Sequence, residues 1–222
     1  AVGCLSSANV PRIKGLNTFG GSWHHTGNWP HDGVDFTGRR VGQIGTGSTG
    51  IQAAPVIAAQ AEHLTVFQPT ANYSIPARNA PVTPEEIRLT RQHYDDIWRQ
   101  ARATTNGHPF AIAQHSALSF SQEERDAIYE AAWQRGGLRF RAAFNDVLTN
   151  SEANATASDF IRRKIREVVK DPEVARKLTP LDHGFATKRP PIDNGYIETF
   201  NRENVTLVDL KEEPIAEITE TG

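Results

Sequence analysis

Three glycines at fixed spacing, Gly45, Gly47 and Gly50, stand between a short run of strand-forming residues and an alanine-rich stretch that favours helix. This GxGxxG pattern is typical of the turn that binds the pyrophosphate of a dinucleotide. The first glycine permits a tight turn, the second lets the pyrophosphate approach the backbone, and the third lets the helix pack on the strand. Free N–H groups and the dipole at the helix N-terminus then attract the anion. The alternative is a glycine-rich turn without a ligand, but the strand–turn–helix context favours nucleotide binding.

The end of the next strand indicates which nucleotide binds. NAD sites have Asp or Glu there, which binds the ribose hydroxyls, whereas this chain has Gln68, Pro69 and Thr70. Because no carboxylate is present, the site is more compatible with a 2′-phosphate, and we predict NADPH rather than NADH. A 2′-phosphate also needs a cation. Arg78 is the nearest downstream, and Lys188 is a distant candidate that the fold could bring back.

The elements that must position these residues form a βαβ unit. Strands are predicted at 40–44 and 63–67, with a helix at 51–62 between them. Capping boxes at Thr83 and Ser121 predict the starts of two further helices. The apolar pattern predicts the remaining elements: a helix at 152–170, a short helix after Asp171-Pro172 and a strand at 205–208.

The composition is that of a soluble globular protein, with 222 residues, a net charge of −2, 38% hydrophobic and 23% charged residues. The near-neutral balance argues against a nucleic-acid or membrane-surface binder, and no stretch is long and apolar enough for a membrane span. A single cysteine, Cys4, favours a reducing compartment, so we expect a cytoplasmic protein. The chain lacks methionine, begins at Ala1 and stops at Gly222 after a strand-like run, so we expect a fragment of a longer protein.

A second motif precedes the glycine turn and reads Phe19-x-Gly21-x-x-x-His25-x-x-x-Trp29-Pro30. It resembles, at every signature position, the FxGxxxHxxxW(P/D) motif of Baeyer–Villiger monooxygenases, flavin enzymes that use NADPH and O₂ to insert oxygen beside a ketone carbonyl. In that family the motif lies between the flavin and NADPH domains, just before the second nucleotide fingerprint. The resemblance extends over essentially the whole chain, through segments at 1–6, 67–73, 186–191 and 198–210.

The resemblance implies roles for individual residues. Arg189 and His25 are the candidate catalytic residues. The fixed charge of Arg189 would stabilise the negatively charged flavin intermediate and then the tetrahedral adduct with the ketone. His25 would support coupling between the domains without acting directly on the substrate. Lys188 and Thr70 would hold the NADPH 2′-phosphate, and the pyrophosphate would lie against Gly45, Thr46, Gly47, Ser48, Thr49, Gly50 and Gln52.

Three positions depart from the family pattern. Pro69 stands where an Arg usually helps to hold the 2′-phosphate, which leaves Lys188 as the main cation. Ala186 stands where Gly is usual, a change that could shift the loop carrying Arg189. Val2 replaces a usual Thr near the flavin.

We therefore predict an α/β fold, in which a Rossmann-type parallel sheet forms the NADPH domain and carries a helical insertion. Pieces of a second, FAD-binding Rossmann domain flank it. The predicted boundaries are 1–37 for the end of the FAD domain and the linker, 38–196 for the NADP-binding domain with its insertion at about 84–179, and 197–222 for the return to the FAD domain. The parent protein is predicted to convert ketones to esters or lactones with FAD, NADPH and O₂. This chain alone is expected to bind nicotinamide nucleotide, but neither to hold FAD nor to turn over ketone, because the first GxGxxG would lie upstream of Ala1.

Alternatives remain open. A flavin monooxygenase that oxidises N or S atoms would use the same cofactors, although its related signature ends in Phe or Tyr rather than Trp29-Pro30. A dinucleotide-binding module without catalysis is another. His24, His25 and His31 raise the question of a metal, but neither a cysteine motif nor HExxH accompanies them, and we predict no metal site.

Overall fold

The computed structural model of the chain describes residues 7–104 and 107–222. The resemblance at residues 1–6, including Val2, lies outside the described residues. Within these ranges the strands are β1 (Arg40–Ile44), β2 (His63–Gln68), β3 (Ile75–Pro76), β4 (Ile192–Asp193) and β5 (Val205–Asp209). The α-helices are α1 (Ser48–Gln60), α2 (Pro84–Gln92), α3 (Tyr94–Ala103), α4 (Gln122–Arg135), α5 (Ser151–Val168), α6 (Pro172–Leu178) and α7 (Tyr196–Thr199).

The chain divides into two compact units. Unit 1 combines the described residues of Ala1–Asn72 with Val168–Leu178 and Gly195–Gly222. Unit 2 combines the described residues of Tyr73–Glu167 with Thr179–Asn194. None of the helices in the described residues has the length and apolarity needed to cross a membrane.

Unit 1 is built on a parallel sheet with the strand order β1-β2-β5. β2 is the central strand, and its Leu64 and Val66 side chains are fully buried. Helix α1 buries one face, formed by Ile51, Ala54, Ile57 and Ala58, whose spacing matches the helical period. The predicted Rossmann-type βαβ unit and parallel sheet are therefore confirmed.

β5 pairs in parallel with β2, in the same sheet as β1. It lies within residues 197–222, for which the sequence predicts the return to the FAD domain. Asn204 explains why the chain enters the sheet here. Its side-chain Nδ2 donates to the carbonyls of Ala58 and Ala61 at the end of α1, both at 3.0 Å, and its own carbonyl accepts the N–H of Leu64 at 2.8 Å.

Unit 2 is largely helical and has an aromatic core. Tyr129, Phe140 and Phe144 are almost fully buried, and Phe160 packs against the first two with ring centroids 5.5 and 5.7 Å apart. Aromatic pairs of this kind stabilise a core beyond the area that they bury. The short strands β3 and β4 pair in parallel at its edge, a pairing that no sequence pattern indicated.

The predicted capping boxes are confirmed. The Thr83 hydroxyl accepts the Glu86 N–H, and the Ser121 hydroxyl accepts the Glu124 N–H, with each Glu bonding back to the cap backbone. These hydrogen bonds hold the pKa of each glutamate carboxyl below its usual range. The first of these helices, α2, ends at Gln92, and α3 starts at Tyr94 directly after His93.

Replacing Asn204 with Asp should lower the free energy of unfolding by about 2 kcal/mol. The substitution keeps the shape but removes both donated hydrogen bonds and turns a carboxylate towards two carbonyl oxygens. Chemical denaturation of both forms measures the difference. Asn17→Asp, in an exposed 3₁₀ turn, is the control and should change the free energy little. Equal stability of Asn204→Asp and the native protein would contradict this account of how β5 is placed.

Candidate functional site

Each glycine of the turn between β1 and α1 has a distinct geometry. Gly45 has φ +105°, a backbone conformation that side chains disfavour. A Cβ on Gly50 would lie 2.3 Å from the Gly45 carbonyl oxygen, so the helix can pack this closely only with glycine there. A Cβ on Gly47 would meet no described atom within 4 Å. The backbone at Gly47 is therefore open to a ligand, while the other two glycines shape the turn.

The N-terminus of α1 is equipped to bind an anion. Gly47 is its N-cap and supplies no side-chain hydrogen bond, and the first turn carries no acidic residue. Ser48 and Thr49 are exposed. The first N–H groups of a helix have no partner within the helix, so those of this turn can bind phosphate oxygens. Gln52, one turn further along, is also exposed.

Thr46 braces the turn against the segment after β2. Its hydroxyl donates to the Thr70 carbonyl at 2.8 Å, and Asn72 Nδ2 donates to the Thr46 carbonyl at 3.1 Å. The Thr46 side chain is buried, so its hydroxyl serves this brace. Asn72 was not singled out in the sequence, and a polar residue just after a strand was the only available signal.

The carboxyl end of β2 lacks an acidic ribose ligand, as its sequence indicates. Gln68 is buried, and its Nε2 donates to the Lys177 carbonyl at 2.8 Å. Pro69 is exposed, and Thr70 is half-buried beside the turn. The nearby cation Arg176 is already paired with Glu173 and Glu212, which holds the pKa of the Glu212 carboxyl below its usual range.

The signature segment forms a local cluster in unit 1. A Cβ on Gly21 would lie 2.5 Å from the Phe19 ring, so a larger residue there would have to displace that ring. His25 is the N-cap of the 3₁₀ turn Thr26–Asn28, where its Nδ1 accepts the Gly27 N–H at 3.0 Å. The ring proton therefore lies on Nε2. The half-exposed Trp29 ring lies 5.8 Å from His24 and 6.1 Å from Phe36, measured between centroids, and precedes the half-buried Pro30.

The segment that leads into this signature pairs with the last residues of the chain. The Gly20 N–H donates to the Glu220 carbonyl, and the Ile218 N–H donates to the Lys14 carbonyl, both at 2.8 Å. An ion pair between Lys14 and Glu217 at 2.5 Å adds to the pairing. These contacts fix the start of the signature segment against residues 217–220 within unit 1.

Lys188 and Arg189 lie in unit 2, on a loop that is anchored at Phe185. Phe185 is fully buried, with its ring edge-on to Phe140 at 5.4 Å. Its carbonyl accepts Asn154 Nδ2 at 2.7 Å, and its N–H donates to Ser158 Oγ at 2.9 Å, both from α5. The two basic side chains three and four residues later are exposed.

Ala186 lies within this loop and has φ +60°. An L-residue in this left-handed region costs about 1–2 kcal/mol. The loop therefore keeps the conformation that glycine prefers, even though the residue is alanine.

A cavity of about 510 Å³ opens beside this loop in unit 2. Arg189 lines it together with Arg141 and His108, two residues that no motif in the sequence indicates. The remaining lining residues are Leu138, Leu148, Asn154, Phe185, Ala186, Thr187 and Pro190.

The predicted site residues thus fall into two sets. The glycine turn, Thr70 and the signature segment lie in unit 1, whereas Lys188 and Arg189 lie in unit 2. No group of three or more potential metal ligands occurs among residues 7–104 and 107–222.

Proteins that are similar to this chain over its whole length include three monooxygenases. A cyclohexanone 1,2-monooxygenase from Acinetobacter sp is 49% identical over all of this chain and 41% of its own length. A Baeyer-Villiger monooxygenase from Pseudooceanicola batsensis is 47% identical, with all of this chain and 40% of that protein covered. A phenazine N-monooxygenase from Lysobacter antibioticus is 44% identical over all of this chain and 41% of its length. The chain therefore spans about two fifths of the relatives that it matches.

Solved structures that are similar to this chain are also those of monooxygenases. An oxidized steroid monooxygenase bound to NADP is 52% identical, has a TM-score of 0.94, and is matched over 98% of this chain and 42% of its own. An open structure of cyclohexanone monooxygenase is 47% identical, also with a TM-score of 0.94, over 99% of this chain and 43% of its own. No family model matches the chain. The resemblance to Baeyer–Villiger monooxygenases is confirmed by the relatives and the solved structures.

The two glycines should respond differently to alanine. Gly50→Ala should lower the free energy of unfolding by at least about 2 kcal/mol, because its Cβ would meet a backbone oxygen that cannot move aside. Gly47→Ala should change it by less than about 0.5 kcal/mol, because the space is open. Chemical denaturation measures both. Equal losses would show that Gly47 is also a packing position.

Ala186→Gly should raise the free energy of unfolding by about 1 kcal/mol, because it removes the strain at a positive φ. Ala131→Gly is the matched control. Because Ala131 is exposed within α4, this substitution should lower the free energy of unfolding by about 1 kcal/mol. A loss of stability in both variants would show that Ala186 is unstrained.

Proposed function

We propose that this chain, which corresponds over its whole length to part of the Baeyer–Villiger monooxygenases, is the NADPH-binding portion of an enzyme of that kind. The whole protein would use NADPH, FAD and O₂ to convert a ketone to an ester or lactone. The observation that carries the proposal is the open N-terminus of α1, where Gly47 leaves the backbone accessible and no carboxylate competes for the N–H groups.

The glycine turn fits a dinucleotide. The pyrophosphate would accept hydrogen bonds from the first N–H groups of α1, with the hydroxyls of Ser48 and Thr49 beside it. Gly45 and Gly50 hold the turn and the helix in this arrangement, and Gln52 lies one turn further along. Thr46 acts indirectly, because its hydroxyl fixes the turn to Thr70.

The choice of NADPH would depend on Thr70 and Lys188. Since Pro69 stands where the family usually has an arginine, Lys188 would supply the main positive charge for the 2′-phosphate. Its exposed ammonium has no hydrogen bond or ion pair to another described residue and is available to an anion.

Arg189 would act on the ketone. FAD, when bound in the whole protein, supplies the redox chemistry that transfers hydride equivalents from NADPH to O₂. The guanidinium of Arg189 carries a permanent charge and would stabilise the negative charge that develops on the carbonyl oxygen when it is attacked. His25 would be a positioning residue, because its Nδ1 holds the turn that follows it.

Oxidation of a nitrogen or sulfur atom is the second candidate. One observation favours it: a relative 44% identical over the whole chain is a phenazine N-monooxygenase. The Trp29-Pro30 ending favours ketone oxidation. A module that only binds dinucleotide is the third candidate. We also propose a cytoplasmic location, for which the single cysteine is the support.

The full-length protein should therefore consume NADPH and O₂ and convert cyclohexanone or other linear, cyclic or aryl ketones to esters or lactones, detected by mass spectrometry. A phenazine and a thioether belong in the same panel. N-oxide or sulfoxide without any ester would support the second candidate. Absence of a flavin absorption band and of NADPH consumption would support the third and contradict the proposed function.

Gly47→Ala and Lys188→Gln separate the two parts of the nucleotide site. Gly47→Ala should weaken the binding of NADPH and of NADH by at least about 10-fold, because the added methyl group occupies the space where the pyrophosphate of both nucleotides would bind. Lys188→Gln should raise the KM for NADPH about 10-fold and leave that for NADH nearly unchanged. Lys170→Gln, an exposed lysine in unit 1, is the control and should change neither. An equal rise in the KM for both nucleotides in Lys188→Gln would exclude a role of Lys188 in binding the 2′-phosphate.

A further inference from the structure

The cavity beside Arg189 has an unbalanced charge. Two arginines, Arg141 and Arg189, line it together with His108. None of the described lining residues is acidic. Neither arginine forms a hydrogen bond or ion pair with another residue in the part of the chain that the structure describes. Five other arginines of unit 2 do form such a contact, among them Arg163 with the Asp126 carboxylate and Arg162 with the Pro180 carbonyl.

Arg141 is held at the cavity by the elements on either side. It lies in the 3₁₀ helix Gly137–Ala142, between Phe140 and Ala142, which are both buried in the aromatic core. Arg141 itself is half-buried. A partly desolvated cation without an acceptor is unfavourable unless an anion joins it. The cavity is therefore preorganised for a negative group at this point.

The remaining wall is mainly apolar. Leu138, Leu148, Phe185 and Pro190 line the cavity together with the two arginines. Asn154 also lines it, but its amide already donates to two backbone carbonyls. A volume of about 510 Å³ is in the range of small-molecule sites. This lining suits a compact carbon skeleton with one anionic group.

We propose that this cavity binds a ketone that also carries an acid group, and that Arg141 binds the acid while Arg189 serves the carbonyl. The proposal rests on the proposed function for the role of Arg189. The nucleotide phosphates are another source of negative charge. The apolar wall favours the substrate, because it would give the sugar and phosphate groups of a nucleotide few polar partners.

The experiment uses the full-length protein with its flavin. The probes are a cyclohexanone with a carboxylate on the ring carbon opposite the carbonyl, and its methyl ester. Binding of each is measured by calorimetry, and kcat/KM is measured for both. The variants are Arg141→Gln and Arg141→Lys, with Arg139→Gln as the matched control. Arg139 is an exposed arginine of the same 3₁₀ helix that lies over the Phe110 ring and does not line the cavity.

The native protein should prefer the acid over the ester, and Arg141→Gln should reduce this preference about 10- to 100-fold, both in binding and in kcat/KM. Arg141→Lys should restore part of it, and Arg139→Gln should leave it unchanged. Two results would overturn the proposal: an unchanged preference in Arg141→Gln, or a raised KM for NADPH with no change in the acid-to-ester ratio. The second result would assign Arg141 to a nucleotide phosphate.

The binding measurement separates this proposal from the proposed function. If the protein oxidises no ketone but binds the acid through Arg141, the proposed function fails and the anion site stands. If it oxidises neutral ketones and Arg141→Gln leaves the acid-to-ester ratio unchanged, the anion site fails and the proposed function stands.

Discussion

The close packing of the first turn of α1 against the backbone that follows β1 is the constraint on which the arrangement of unit 1 depends. Helix α1 comes so near the end of β1 that a Cβ on Gly50 would lie 2.3 Å from a carbonyl oxygen. This approach aims the helix N-terminus at the carboxyl edge of the sheet, where β2 and β5 also end. Because Gly47 adds no side chain there, the N–H groups stay accessible. Thr46 and Asn72 then fix the turn to the segment after β2.

In unit 2 a comparable constraint acts through the core. Asn154 donates a hydrogen bond to the Phe185 carbonyl and so anchors the start of the loop that carries the exposed Lys188 and Arg189. Ala186 keeps a left-handed conformation at an energetic cost. The stability of the aromatic cluster offsets that cost, as is common where loops carry function.

Local chemistry made parts of the structure predictable from the sequence. The glycine spacing identified the turn, and each capping box marked a helix start because its two hydrogen bonds lie within four residues. The place of β5 in the sheet could not be predicted from local patterns. It depends on hydrogen bonds from Asn204 to carbonyls at the end of α1, which lie 143 and 146 residues earlier in the sequence. Arg141 could not be predicted as a site residue either, because only the fold of unit 2 brings it to the cavity that Arg189 lines.

The central claim is that a dinucleotide binds with its pyrophosphate on the N-terminus of α1. A crystal structure of the full-length protein with NADP⁺ tests it most directly. The account predicts pyrophosphate oxygens at about 2.7–3.2 Å from N–H groups of the turn from Gly47 to Thr49. A nucleotide bound elsewhere, with this turn facing only solvent, would contradict it.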